Sequence, residues 1–399
     1  MTSIPHVFAP DVPAKELEKT LYRLDSIRAS LRAEYIKSDD APWIIAFSGG
    51  KDSTLLLQLV WEAISDVSHA ARQRKVIVVG NDTLVESPLV IEHLKHSLNA
   101  IRLTANERDL PITAKITKPS TDQTFWVNVI GRGYIPPTRN FRWCTDRMKI
   151  LPTNKLIEKL IRIYGSATLL IGTRKAESET RRRNMERHGA TATEPNPHSS
   201  IDDCAVFTPL ADMSTNEVWI TLMQCPPPWG GTHANLISLY RNAGNDECPL
   251  VLSKEDAPSC GSTSPRFGCW TCTVVKKDKS LMGIIESGHR QASSFERLFE
   301  FREWLIELRE NPANRMRARR DGTFKNKRNG SPVLGPFSID VRKCILQRLT
   351  SLEEQIGRKL LSSTEMEIIK EIWGRDSVRQ SCRSALHQAI RLNDEEVAA

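Results

Sequence analysis

Seven consecutive residues, Ser48-Gly49-Gly50-Lys51-Asp52-Ser53-Thr54, carry the means to hold a phosphate group. The glycines let the backbone turn tightly and bring N–H groups close to an anion. An apolar run, Trp43–Phe47, precedes them and reads as a buried strand, and Leu55–Val60 continues as a helix. A helix start adds a partial positive charge and unpaired backbone donors. Ser48, Ser53 and Thr54 supply hydroxyls and Lys51 a point charge. Asp52 is the expected Mg²⁺-linked carboxylate, because a hard cation takes oxygen ligands beside phosphate oxygens. The glycine spacing is not that of the G-x-x-x-x-G-K-[ST] loop.

Two more segments follow apolar runs in the same way. Asn81-Asp82-Thr83-x-x-Glu86 comes after Val76–Val79, and Gly172-Thr-Arg174-x-x-Glu177-Ser178-x-x-Arg181 after Thr168–Ile171. Arg174 and Arg181 offer planar forks that grip phosphate bidentately, which Lys does not. The plain alternative for Arg181-Arg-Arg183 is a solvated helix face.

The chain has nine cysteines, and three fall in the pattern Cys260-x8-Cys269-x2-Cys272. A CxxC pair presents two thiolates to one metal, and two more cysteines complete a set of four. Tetrahedral zinc and an iron–sulfur cluster both accept such a set, and spacing does not separate them. A redox CxxC is a third reading, but no thioredoxin-type strand precedes Cys269. Cys204, Cys225, Cys344 and Cys382 lack ligand-type neighbours and are expected to be buried free thiols.

A basic run lies further on. Residues 315–328 hold Arg315, Arg317, Arg319, Arg320, Lys325, Lys327 and Arg328 against one acid, Asp321. Such a run neutralises several phosphates of DNA, with affinity falling steeply as salt rises. A solvated loop beside a partner's acidic face is the alternative. No recognised DNA-reading motif accompanies it, so sequence specificity is expected to belong to a partner subunit.

The loop at Ser48 matches the SGGxDS pyrophosphate loop of the ATP pyrophosphatase superfamily. Members of that superfamily cleave ATP between the α- and β-phosphates, adenylate an oxygen and release pyrophosphate. Asn81–Glu86 lies where that superfamily reads the adenosine. Gly172–Arg181 resembles the GxRxxES…R segment of its phosphoadenosine phosphosulfate (PAPS) reductase branch, and Trp219 fits the same branch. Phe141-Arg-Trp-Cys144-Thr-x-x-x-Lys149 resembles the branch's RxC…K element. With Cys144, Cys260, Cys269 and Cys272 added, the stretch from about Trp43 to Leu281 resembles the DndC family. That family is the PAPS reductase-like component of bacterial DNA phosphorothioation, and its single-strand-system counterpart, SspD, is similar.

The resemblance implies a sulfurtransferase with an adenine nucleotide alpha hydrolase-like domain. It also implies ATP and Mg²⁺, and a [4Fe–4S] cluster on the four cysteines. The implied partners are DNA, a cysteine desulfurase as sulfur donor and other phosphorothioation subunits, with a role in restriction-modification and phage defence. Cys248, in a Tyr240–Pro249 stretch that also resembles the family, is a candidate persulfide carrier. PAPS reductases proper use a cysteine near the chain end, and Cys382 (Gln-Ser-Cys-Arg-Ser) is not in that motif. A PAPS or APS reductase, a tRNA thiolase and a non-enzymatic DNA-binding adaptor stay as alternatives.

The elements that must position these groups follow from periodicity. Leu17, Leu21, Leu24, Ile27 and Leu31 repeat at helical spacing within Ala14–Lys37, after a loose arm at residues 1–13. Short apolar strands at 43–47, 76–79, 112–116, 168–171 and up to Phe207 alternate with helices at 88–103 and 152–164. This predicts an α/β fold with a parallel sheet covered on both faces and its ligand loops along one rim. Capping-box spacing marks helix starts at Ser214/Glu217 and Thr364/Glu367. After Pro226-Pro-Pro228 the alternation stops. The expected organisation is a helical arm (1–40), a nucleotide domain (41–225), a loop-rich cysteine region (226–290) and a helical C-terminal region with the basic segment (291–399). Within the last, Ser294–Arg309 reads as an amphipathic helix and 336–396 as largely helical.

At 399 residues with a net charge of +8, the chain is long enough for a full core and is not of disordered composition. Its apolar runs fall far short of a membrane span, and its first residues lack an apolar leader. A soluble, cytoplasmic protein is therefore expected. In that compartment cysteines are seldom disulfides.

Overall fold

The computed structural model describes residues 12–37, 41–243, 268–275, 278–286 and 291–378. Most of the arm at 1–13, together with Cys248, Cys260 and Cys382, lies outside them. The chain divides into two compact units: residues 1–118, 139–270 and 274–292 form the first, and 119–138, 271–273 and 293–399 the second.

The first unit is a six-stranded sheet with helices on both faces. Its strands are β1 (Trp43–Ala46), β2 (Val76–Asn81), β3 (Ile112–Thr117), β4 (Ala167–Leu170), β5 (Asn196–Pro197) and β6 (Cys204–Phe207), in the order β3-β2-β1-β4-β6-β5. All pairings are parallel except that of β5, a short antiparallel edge strand. The helices are α1 (Ala14–Tyr35), α2 (Lys51–Ser65), α3 (Pro88–Glu107), α4 (Trp143–Thr145), α5 (Leu151–Tyr164), α6 (Glu179–Arg187), α7 (Thr215–Gln224), α8 (Ala234–Ala243) and α9 (Lys279–Glu286).

Period-two alternation sorts the side chains of the central strand between two cores. Trp43, Ile45 and Phe47 join Leu24, Leu31, Leu56, Val60 and Leu98 on one face. Ile44 and Ala46 join Ile77, Val79, Ile157 and Leu160 on the other. Both faces are apolar, as a parallel sheet under two helix layers requires. The strand order reverses at β1, where the chain adds β2 and β3 on one side and β4 on the other. The chain segments leaving β1 and β4 therefore start side by side at the carboxyl rim, the usual ligand position of such sheets.

The second unit holds α10 (Ala292–Glu310), a small hairpin of β7 (Lys325–Asn326) and β8 (Pro332–Val333), α11 (Ile339–Ile356) and a helix over 363–378. Phe295, Leu298, Phe301 and Leu305 are the buried stripe of α10. Trp126 meets Phe301 edge-on, with ring centroids 6.0 Å apart.

Three features differ from the sequence expectation. The region after Pro226 contains two helices, α8 and α9, too short for their periodicity to stand out among prolines and glycines. The last helix is capped two residues earlier than expected. Ser362 Oγ accepts from Glu365 N (3.2 Å) and Ser362 N donates to Glu365 Oε2 (2.8 Å), so Thr364 already sits inside the helix. Cys344 is exposed rather than buried, since it falls on the outer side of α11. Cys204 is buried, and burial pushes its thiol up to about 11. The box at Ser214 and Glu217 forms as expected, with both reciprocal bonds present.

Candidate nucleotide site

The loop after β1 is closed by its own hydroxyls. Ser48 Oγ and Ser53 Oγ lie 3.1 Å apart, Gly50 N donates to Ser48 Oγ (3.3 Å) and Ser53 Oγ donates to Gly50 O (3.0 Å). Gly49 has φ +75°, a region that disfavours any Cβ, and its carbonyl lies 3.1 Å from His93 Nε2 on α3. Helix α2 begins at Lys51, directly after Gly50. The Thr54 hydroxyl is buried without a hydrogen-bond partner among the described residues. A buried orphan donor at the start of a helix suits a loop that receives an anion.

Behind the loop lies a buried chain of charges. Asp52 Oδ1 is 2.5 Å from Arg174 Nε, and Asp52 Oδ2 is 3.2 Å from Lys51 Nζ. Arg174 is 1% exposed, and its Nη1 donates to Met213 O (3.2 Å) and Thr215 Oγ1 (3.3 Å). Its Nη2 makes no hydrogen bond among the described residues. Arg174 N donates to Glu177 Oε1 (2.7 Å), and Glu177 Oε2 pairs with Arg181 Nη1 at 2.6 Å. Burial lowers the Lys51 ammonium and raises the Glu177 carboxyl. Gly172 packs on the helix start, since a Cβ there would meet Asp52 O at 2.8 Å and Ser53 N at 3.2 Å. The loops after β1 and β4 are thus locked together at the crevice.

Both Asp52 oxygens face cations, Arg174 and Lys51, and each keeps a further lone pair for a hard metal ion beside phosphate oxygens.

The loop after β2 forms a second cluster. Asp82 Oδ1 accepts from Leu84 N (2.9 Å), which stabilises a turn in which Leu84 has φ +66°. Thr83 Oγ1 donates to Glu86 Oε1 (2.9 Å), and Lys149 Nζ lies 3.6 Å from the same oxygen. Cys269 belongs to this cluster, with its Sγ 3.3 Å from Thr83 Oγ1 and 3.6 Å from Glu86 Oε1. Ser87 N→Gly268 O (2.9 Å) and Trp270 N→Val85 O (3.0 Å) stitch the backbone in place.

The described cysteines of the expected cluster set, Cys144, Cys269 and Cys272, are half-buried thiols outside any disulfide. Cys144 lies on α4, and Cys272 belongs to the second unit. No group of three or more metal-type side chains occurs among the described residues. The thiol chemistry suits a soft metal or an iron–sulfur cluster. The fourth ligand, Cys260, lies outside them.

The arginines after Arg181 divide as follows. Arg182 and Arg183 are exposed and pair with Glu179 and Glu186, a solvated helix face, while Arg181 is buried against Glu177. In the basic run, Arg315 and Arg320 bond within the second unit, and Arg317, Arg319, Lys325, Lys327 and Arg328 are exposed. Two neighbours of the phosphate loop carried no sequence signal as site residues. His93 is one. The other is Tyr240 on α8, whose hydroxyl accepts from Lys51 N (3.3 Å) and whose ring lies 5.6 Å from Lys51 Nζ.

A phosphate-type loop between the central strand of a parallel sheet and its helix, with a buried arginine fixed beside it, defines an α/β protein with a candidate anion site. Residues 42–275 match the phosphoadenosine phosphosulfate reductase domain, more than half of the chain, and the chain belongs to that family. Two uncharacterized proteins of Methanocaldococcus jannaschii, MJ0066 and MJ0973, are each 25% identical to it, over 47% and 44% of this chain. The chain spans about a third of their lengths, 32% and 34%. Among solved structures, the PAPS reductase from Candida auris in its phosphate complex is 14% identical, with a TM-score of 0.33 over 54% of this chain and 89% of that one. The U34-tRNA thiolase NcsA from Methanococcus maripaludis with its [4Fe-4S] cluster is 11% identical, with a TM-score of 0.33 over 72% and 80%. No helix among the described residues is long and apolar enough to cross a membrane.

Proposed function

We propose that this chain is an ATP pyrophosphatase and sulfurtransferase that installs phosphorothioate in DNA. The observation that carries the reading is the Ser48–Thr54 loop with the buried Lys51–Asp52–Arg174 chain across the crevice. The loop and the α2 N-terminus hold the β- and γ-phosphates of ATP. Asp52 fixes the Arg174 guanidinium toward the crevice, where it meets phosphoryl oxygens. Lys51, partly desolvated, adds a point charge beside the phosphates. Catalysis here is positioning and charge stabilisation rather than covalent work by the protein.

In the first step a non-bridging oxygen of a DNA phosphodiester attacks the α-phosphorus, and pyrophosphate leaves. The adenylated oxygen is then a good leaving group. In the second step the terminal sulfur of a persulfide, supplied by a cysteine desulfurase, attacks the DNA phosphorus and AMP departs. A thiol then supplies two electrons and cleaves the remaining S–S bond, leaving sulfur on phosphorus. Mg²⁺ would neutralise charge on the triphosphate. Cys144, Cys260, Cys269 and Cys272 would hold a [4Fe–4S] cluster, which when bound supplies a site for electrons or sulfur. Thr83, Glu86 and Lys149 pack around Cys269 and hold its loop beside the one expected to read adenosine.

Pyrophosphate release from ATP tests the site. A Ser48→Ala/Asp52→Ala double variant should lose it, and full retained activity would reject the assignment. A competition among duplex DNA, tRNA and a small adenylyl sulfate separates this reading from a tRNA thiolase and a small-nucleotide reductase.

A further inference from the structure

The basic run is not a uniform charged loop. Arg315 Nε donates to Gly335 O (2.6 Å) and its Nη2 to Leu334 O (2.5 Å). Arg320 grips both oxygens of Asp376 at 3.0 and 3.1 Å and also donates to Arg132 O. Both arginines are structural anchors within the second unit. Gly335 N→Met316 O (2.6 Å) and Met316 N→Pro336 O (2.8 Å) tie the base, where a Cβ on Gly335 would collide with the Ala318 carbonyl.

Beyond that base the chain makes two tight turns. Gly322 N donates to Arg319 O (2.8 Å) and Arg319 N to Thr323 O (2.9 Å) in the first, and Lys327 N donates to Ser331 O (2.7 Å) in the second. Gly322 (φ +87°) and Gly330 (φ +79°) take left-handed backbone conformations that glycine adopts without strain. The result is a finger braced by turn and hairpin hydrogen bonds.

Its outer groups are cationic and aromatic. Arg317, Arg319, Lys325, Lys327 and Arg328 form no salt bridge within 4 Å among the described residues; the only acid of the run, Asp321, is hydrogen-bonded to Thr323 and attracts Arg319 and Lys325 from further off. Phe324 is 66% exposed. Arg317 bonds Asn326 Oδ1 (3.2 Å) and lies 5.9 Å from the Phe324 ring centroid, which steadies the ring. A large exposed aromatic beside exposed cations suits one ligand chemistry. Phosphates meet the cations while an unpaired base stacks on the ring. A duplex offers phosphates but no free base face, so it would use only half of this surface.

We propose that the finger over residues 315–335 is a docking site for unpaired nucleotides, with Phe324 as the stacking platform and Lys325, Lys327 and Arg328 as phosphate contacts. The proposal deepens the reading of a nucleic-acid substrate and rests on it. It does not depend on the ATP chemistry.

Binding of the full chain to fluorescent oligonucleotides, without ATP, tests it in three arms: single-stranded DNA, single-stranded RNA and the DNA duplex. Phe324→Ala should weaken single-strand binding about tenfold, and Phe324→Trp should restore it. The duplex should respond little to either. A Lys325→Ala/Lys327→Ala/Arg328→Ala variant should flatten the salt dependence by about two units of log–log slope on single strands. These side chains are exposed, so the thermal transition should stay unchanged and report that the variants fold. Tighter RNA than DNA binding, with the same Phe324 dependence, would support the finger and reject DNA as the preferred substrate. Binding indifferent to Phe324, or an unaltered salt slope, would overturn the proposal. Loss of pyrophosphate release in the phosphate-loop variant leaves this result untouched, so the two readings fail separately.

Discussion

Arg174 Nε sits 2.5 Å from Asp52 Oδ1, although Arg174 lies on the loop after β4 and Asp52 in the first turn of α2, after β1. The contact welds the loop after β1 to the loop after β4 at the reversal of strand order. It also fixes the position of the buried Arg174 guanidinium.

The first prediction concerns this pair. Asp52→Ala leaves a guanidinium buried beside the Lys51 ammonium without its carboxylate, which costs about 3–5 kcal/mol. An Asp52→Ala/Arg174→Met double variant removes both charges and should lose less than the sum of the Asp52→Ala and Arg174→Met losses. Urea unfolding of the four proteins gives the coupling directly. Strict additivity would show that the pair is not linked.

Gly172 supplies the second. A Cβ there would stand 2.8 Å from Asp52 O and 2.9 Å from Asp52 C, both backbone atoms that cannot swing away. Gly172→Ala should destabilise by about 1–3 kcal/mol. It should also lower pyrophosphate release more than a distant variant of equal stability does. Normal turnover in Gly172→Ala would show that the two loops need not touch.

Stability should depend on acid through the buried imidazoles. Burial pushes His233 down to about 4 and lowers His93 as well. His233 bonds Gln58 Oε1 (3.2 Å), and His93 bonds the Gly49 carbonyl. In the unfolded chain each takes up a proton near pH 6.5, whereas in the folded chain it stays neutral to lower pH. The unfolded state thus binds more protons between about pH 6.5 and 4. Stability is full above that window and falls as pH drops through it, by on the order of 2–4 kcal/mol for His233. His233→Gln should flatten the fall between pH 7 and 5. An unchanged slope would place the sensitivity elsewhere.

The basic run separates into two kinds of arginine by their effect on stability. Arg320→Ala removes a two-pronged grip on Asp376 and should destabilise the second unit by about 1–3 kcal/mol. Lys327→Ala and Arg328→Ala should fall within about 0.5 kcal/mol of the parent. Thermal unfolding monitored by Trp373, which donates to Ile130 O at 2.8 Å in the same unit, distinguishes the two groups.

Metal content is the last of these. Protein purified without oxygen should be coloured and carry about four iron atoms per chain, the signature of a thiolate-bound cluster. Cys269→Ala should bleach it. A colourless protein with one zinc would reject the cluster and leave the thiols a structural role.

Much of the nucleotide site was legible in the sequence because it depends on local order. An apolar strand, two glycines and a helix start must be contiguous, and residues 43–60 state all three. The parallel sheet followed from the alternation of strands and helices. What escaped depends on contacts between distant segments. Nothing in the surroundings of His93 or Tyr240 announces that they will touch Gly49 and Lys51. The pairing of Asp52 with Arg174 escaped for the same reason, since the two residues are far apart along the chain. The hairpin at 325–333 was hidden because its strands are two residues each, too short for alternation to show. Arg315 and Arg320 counted as surface charge for the same reason: only folding reveals that carbonyls and Asp376 take them up.

The measurement that bears most directly on function is mass spectrometry of nuclease-digested DNA after incubation with this chain, ATP, Mg²⁺, a cysteine desulfurase with cysteine, a thiol reductant and the partner subunits. The account predicts phosphorothioate-linked dinucleotides formed in step with AMP and pyrophosphate. Both should vanish when the chain is omitted or carries Ser48→Ala/Asp52→Ala. DNA with no sulfur despite pyrophosphate release, or sulfur incorporation that persists without the chain, would contradict it.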